Sequence, residues 1–204
     1  MARITVLGAG LVGALVATEL SEDHYIKVID PDREALVRVT QLAPAVELHD
    51  ARFDSPAQLA DCDLALNCLP GSVGHAALRR IIAAGVDCVD ISFTAEDPRT
   101  LDAVAREAGV TIVPDAGIAP GFSNLLAAEL AAQAPARLEI FVGGLPLRRE
   151  PPWEYAAPFS PIDVVAAGSS SHLTLPTKCI VHIADGRVSL VIHPHFLVYS
   201  RYHT

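Results

Sequence analysis

Three observations predict an α/β fold, a doubly wound parallel sheet followed by a short, incomplete β-rich C-terminal part. Strand-like and helix-like segments alternate for about 140 of the 204 residues. The strand-like segments are apolar on both faces, as strands covered by helices on each side must be. A glycine-rich turn joins the first strand to the first helix.

The elements follow in order. Arg3–Leu7 is rich in β-branched residues and reads as a strand. Gly8, Gly10 and Gly13 come next, and Leu11–Leu20 carries good helix formers. Tyr25–Ile29 is the second strand, stopped by Asp30-Pro31-Asp32, and Arg33–Thr40 reads as helix. Val46–Leu48 is a short third strand. Ser55-Pro56-Ala57 opens a short helix, with Ser55 as cap and Pro56 at the first position.

Leu64–Cys68 is a fourth strand, and Pro70-Gly71 breaks it. Helix is expected over Val73–Ala84, closed by Gly85, then strand over Val86–Asp90. Asp97-Pro98 starts a helix through Ala108, closed by Gly109. Val110–Val113 is a strand, Ser123–Gln133 a helix and Arg137–Val142 a strand. Beyond Gly143-Gly144 the chain turns proline-rich, holds Trp153 and then becomes serine-rich near Gly168. Cys179–Ile183 and Arg187–Ile192 flank Ala184-Asp185-Gly186, a hairpin signal.

A chain that is 51% hydrophobic and 19% charged is not disordered. A net charge of −9 argues against a non-specific nucleic-acid or anionic-membrane binder, since both need basic surface. The four cysteines form no CxxC pair, and the eight histidines show no zinc spacing, so neither disulfides nor a metal site is expected.

Residues 1–17 also have the build of an export signal: a charged start, an apolar stretch and small residues at 14–17. That reading explains only the first segment. The dinucleotide reading explains the whole alternation. In it, G-x-G-x-x-G follows a strand, opens a helix and is followed by an acidic residue at a second strand's end. The fold is then Rossmann-type. Gly8 permits the tight turn, Gly10 lets a pyrophosphate approach the backbone, and Gly13 lets the helix pack closely. The amides of Leu11 and Val12 face the anion at the positive end of the helix.

Asp30 would accept hydrogen bonds from ribose hydroxyls, which favours NAD. Arg33 keeps NADP as the alternative. A helix N-cap is the competing role for Asp30. Asp50, Asn67, Leu69 and Pro70 lie at further strand ends facing the same crevice. For Asp50 a plain solvated carboxylate is the competing reading. An amide at Asn67 inside an apolar strand needs a partner, either structural or on the cofactor.

The stretch DAGIAPGFSNLLAAEL (115–130), with GAGLVG (8–13), NCLPG (67–71) and VGGLP (142–146), resembles the saccharopine dehydrogenase family. It is most similar to the lysine 6-dehydrogenase-like branch. The resemblance spans about residues 2–166 and includes VDISF (89–93). It implies an NAD(P)-dependent oxidoreductase acting on the C–N bond of an amino acid, a cytoplasmic homodimer with a small-molecule amino-acid substrate. It also implies a nucleotide-binding domain over 1–122 and the start of a substrate and dimerisation domain over 123–204. The chain leaves the family pattern at residues 167–179, so the second domain is expected to be incomplete.

Oxidation at a carbon bearing nitrogen needs a base to take the amine's proton. Asp90 and Asp115 are the candidates for that base or for holding the ammonium, with Ser92 positioning substrate. A turn residue bonding its own backbone is the competing role for Asp115. Arg148 and Arg149 could hold a substrate carboxylate, against a solvated pair. A dinucleotide-binding module without catalysis is the alternative function.

Overall fold

Arg3–Leu7 (β1) and Leu11–Leu20 (α1) occupy the bounds expected of them. Alternation across β1 explains its burial: Ile4 and Val6 join one core cluster, and Leu7 joins the other. A computed structural model describes residues 1–118, 121–131, 137–144, 179–186, 189–193 and 196–201. Contacts divide the chain into two units, Met1–Ala116 and Gly117–Thr204.

The first unit continues with β2 (Tyr25–Asp30), α2 (Arg33–Leu42), β3 (Glu47–Asp50) and a 3-10 turn at Pro56–Leu59. Then come β4 (Leu64–Asn67), α3 (Gly71–Ala83), β5 (Asp87–Asp90), a 3-10 turn at Pro98–Leu101, α4 (Asp102–Ala108) and β6 (Ile112–Val113). The six strands are parallel, in the order β3-β2-β1-β4-β5-β6. The doubly wound sheet expected from the sequence is therefore present. Its strand order reverses between β1 and β4, and the crevice outside the carboxyl ends of those strands is where this architecture binds ligands.

The two core clusters cover the two faces of the sheet. One joins Val6 and Val28 to Ala14, Ala17, Leu36 and Val39 of α1 and α2. The other joins Leu7 and Ile29 to Leu78, Ile81 and Leu101. Each fully buried aliphatic side chain contributes about 1.5–3 kcal/mol relative to leaving it in water.

Local bonds shift several boundaries. Val46 N–H bonds to the Ala43 carbonyl at 3.2 Å, so β3 starts one residue later than expected and runs on to Asp50. Gly109 is left-handed (φ 69°), and Val110 N–H bonds back to Ala105 at 3.0 Å. Closing α4 in this way consumes the first half of the expected β6. Asp97 caps the Pro98–Leu101 turn, and α4 follows it directly, where one continuous helix was expected.

The second unit holds α5 (Phe122–Ala131) and strands β7 (Arg137–Gly144), β8 (Cys179–Gly186), β9 (Ser189–His193) and β10 (Phe196–Arg201). They form an antiparallel sheet in the order β8-β7-β10-β9. This corrects the expected hairpin: β8 pairs with β7 and β9 with β10, so the segments around Ala184-Asp185-Gly186 are not neighbours. Pairing with distant strands has overridden a local turn signal. The readings of Trp153, of Arg148 and Arg149, and of the serine-rich stretch lie outside the described residues.

Candidate functional site

The glycine turn is built by two close approaches and one open space. Gly8 takes φ +99°, and a Cβ there would lie 2.8 Å from the Cys68 carbonyl oxygen. A Cβ on Gly13 would lie 2.0 Å from the Gly8 carbonyl oxygen. At Gly10 a Cβ would meet nothing within 4 Å, so the crest of the turn is clear. Gly10 is the N-cap of α1 and supplies no side-chain bond. The first helical bond runs from Ala14 N–H to the Gly10 carbonyl at 2.9 Å. The amides of Leu11, Val12 and Gly13 therefore have no intrahelical acceptor. No acidic residue stands in the first turn, and Leu11 and Val12 are exposed. Such a helix start receives an anion.

Asp30 ends β2 beside this turn. Its Oδ2 accepts from Ala9 N–H at 2.7 Å, and its Oδ1 accepts from Asp32 N–H at 2.7 Å. The competing role as helix cap falls instead to Asp32, whose carboxylate accepts from the amides of Glu34 and Ala35. Pro31 occupies the position before the cap, so the cap lies two residues further on. Asp50 is the last residue of β3, and its Cα is the register partner of Asp30. It is not a free solvated carboxylate, because Arg33 Nε donates to its Oδ2.

Across the switch point, Asn67 ends β4 in register with Leu7 on one side and Asp90 on the other. It is 0% exposed. Its Nδ2 donates to the Gly74 carbonyl at 3.3 Å and to Ser92 Oγ at 3.4 Å. Its Oδ1 is buried without a partner among the described residues. Structural pairing thus accounts for one end of the amide. Leu69 is half-buried, and Pro70 is the exposed N-cap of α3.

The structure brings Asp90, Ser92 and Asp115 together at the ends of β5 and β6. Ser92 donates to Asp90 Oδ1 twice, from its N–H at 2.9 Å and from its hydroxyl at 2.6 Å. Burial pushes the Asp90 carboxyl above the usual carboxylate range. The Ser92 and Asn67 hydrogen bonds oppose that rise, and the Asp115 charge adds to it. Asp90 and Ser92 are buried, whereas Asp115 is half-buried. Asp115 has φ 53°, and the next amide, that of Ala116, donates to the Asp90 carbonyl at 2.8 Å. Burial and the Asp90 charge push the Cys68 thiol to about 12, so it stays neutral.

Gly74 was not singled out from the sequence. A Cβ there would lie 2.2 Å from Ser92 Oγ and 3.0 Å from Thr94 Cγ2. A glycine in the first turn of a helix that follows a crevice strand was the signal available. Among the described residues no group of three or more acidic, histidine or cysteine side chains could hold a metal, and no helix is long and apolar enough to cross a membrane.

A parallel sheet of this strand order, with a clear glycine crest, free helix amides and a carboxylate at the end of β2, defines a dinucleotide-binding α/β domain. Residues 4–113 match the family described as "Saccharopine dehydrogenase NADP binding domain", and the chain belongs to that family. It is 27% identical over 178 residues to the mitochondrial alpha-aminoadipic semialdehyde synthase of Bos taurus, covering 80% of this chain and 19% of that protein. The Mus musculus counterpart is 26% identical over 179 residues, with the same coverage. The chain thus spans about a fifth of the length of these curated relatives.

Among solved structures, the apo saccharopine dehydrogenase (L-Glu forming) of Saccharomyces cerevisiae superposes with a TM-score of 0.67 at 19% identity. That match covers 98% of this chain and 49% of the other. GenD2 from gentamicin A biosynthesis, in complex with NAD, gives a TM-score of 0.53 at 20% identity over 72% and 45%. These likenesses show the shared fold.

Proposed function

We propose that this chain provides the nicotinamide-dinucleotide-binding part of an NAD(P)-dependent oxidoreductase acting on the C–N bond of an amino acid. Membership of the saccharopine dehydrogenase NADP-binding domain family carries this reading. The open space at Gly10 and the unpartnered amides of residues 11–13 fit a pyrophosphate. When bound, the dinucleotide supplies the hydride acceptor or donor. The chain's own residues do the rest. The amides of Leu11 and Val12 hold the diphosphate, and Asp30 accepts from the ribose hydroxyls. Leu69 and Pro70 line the far side of the crevice, and Asn67 closes the end of β4 as a fully buried residue.

Asp115 is half-buried, so it is the carboxylate able to meet a substrate ammonium or take its proton. Asp90 and Ser92 stand behind it, with Ser92 turned onto Asp90. The proposal extends to a substrate of the lysine or saccharopine type and to a cytoplasmic homodimer, supported by the DAGIAPG stretch at 115–121. A second reading, a dinucleotide-binding module without catalysis, is favoured by the family match covering residues 4–113 alone.

The test is a titration of the full chain with NAD and NADP, followed by turnover with lysine and saccharopine read by nicotinamide absorbance. Binding with turnover supports the first reading. Binding without turnover on any basic amino acid favours the second. Failure of both nucleotides to bind ends both.

A further inference from the structure

We propose that Asp50 determines cofactor choice. By holding Arg33 in an ion pair beside Asp30, it keeps the guanidinium from a 2′-phosphate and selects NAD over NADP. The inference rests on the dinucleotide site proposed above.

Adjacent parallel strands carry Asp30 and Asp50 as register partners, so both carboxylates stand at the same end of the sheet. Their surroundings differ. Asp30 is occupied by the Ala9 and Asp32 amides. Asp32 is turned onto the start of α2. The Arg33 guanidinium, one residue into α2, reaches over to Asp50.

A 2′-phosphate entering here would meet the carboxylates of Asp30 and Asp50 and one cation that is already paired. A 2′-hydroxyl carries no charge and offers Asp30 a donor. Arginine next to this position is the ordinary means of accepting a 2′-phosphate, because its planar fork matches the phosphate oxygens. In this chain the fork is present and Asp50 engages it. The Arg33 side chain is 85% exposed and that of Asp50 39%. An ion pair so exposed adds little to folding. Removing either partner should therefore leave the sheet intact and change the charge presented to the ribose.

The experiment titrates the full chain with NAD and with NADP in the wild type, Asp50→Asn, Asp50→Ser, Arg33→Ala and Asp50→Asn/Arg33→Ala, at one fixed ionic strength. Circular dichroism melts check that each variant folds. The wild type is expected to prefer NAD. Either Asp50 variant should shift the ratio of the two affinities toward NADP by about threefold to fivefold, the scale of releasing one exposed ion pair. Adding Arg33→Ala should cancel that shift.

A wild type that prefers NADP overturns the inference. So does an unchanged ratio in both Asp50 variants, or a shift that survives the loss of Arg33. Each of these outcomes leaves the dinucleotide site standing. A wild type that binds neither nucleotide sinks the site and the inference together.

Discussion

The carbonyl oxygen of Gly8 lies 2.0 Å from the place a Cβ would occupy on Gly13. The first turn of α1 is thus seated directly on the peptide that ends β1. Two glycines five residues apart form a single contact, while Gly10 between them faces open space.

The two kinds of glycine should separate in experiment. Gly13→Ala pushes a methyl group into backbone that cannot move aside, and it should destabilise the fold by about 3 kcal/mol. Gly10→Ala has φ −62° and free space, so its urea midpoint should match the wild type. Gly10→Val should keep the fold and lose nucleotide binding. A Gly10→Val chain with wild-type affinity for the nucleotide would show that the diphosphate does not cross this crest.

Asp90 predicts a pH dependence of stability. Its carboxyl is raised by burial, so the folded chain keeps that proton at pH values where the unfolded chain has released it. The contribution is therefore fullest below the ordinary carboxylate pKa and is lost as pH rises through the folded value. Asp90→Asn removes this slope. Its Oδ1 can still accept both Ser92 bonds. Urea midpoints across pH should place the variant above the wild type at neutral pH, with the gap closing in acid. Parallel curves for the two chains would contradict the assignment.

Asp32→Ala deletes the cap of α2 and should cost about 1 kcal/mol in chemical denaturation. Nucleotide affinity should survive, because the Asp30 carboxylate still accepts from Ala9. Equal stability of Asp32→Ala and wild type would contradict the cap.

Gly74→Ala brings a methyl group within 2.2 Å of Ser92 Oγ and should destabilise by about 1–3 kcal/mol. Ser92→Gly in the same chain removes the obstructing atoms and should recover part of the loss. A double-mutant cycle measures this as a coupling of about 1 kcal/mol or more. Additive effects would mean that helix and loop move apart freely.

Much of the first unit was legible because its signals are local. Gly8, Gly10 and Gly13 lie within six residues of one another, and the bounds of β1 and α1 could be read from the residues that form them. The sequence leaves open which acid caps α2, since Asp30 and Asp32 flank Pro31 and only the bonds to Glu34 and Ala35 assign the cap to Asp32. The Asn67–Ser92 contact joins residues 25 apart, and no periodicity announces it. Gly74 belongs to the same class, because its constraint comes from Ser92 and Thr94 on another segment. The hairpin around Ala184-Asp185-Gly186 failed for the converse reason: a strong local turn signal says nothing of the strands β7 and β10 that compete for the same edges.

The bond from Ala9 N–H to Asp30 Oδ2 ties together two recognition tasks that look separable on paper. Retooling this protein for another coenzyme by exchanging the residue at position 30 would also slacken the loop that cradles the phosphates. Redesign is better directed at neighbours of that carboxylate than at the carboxylate itself.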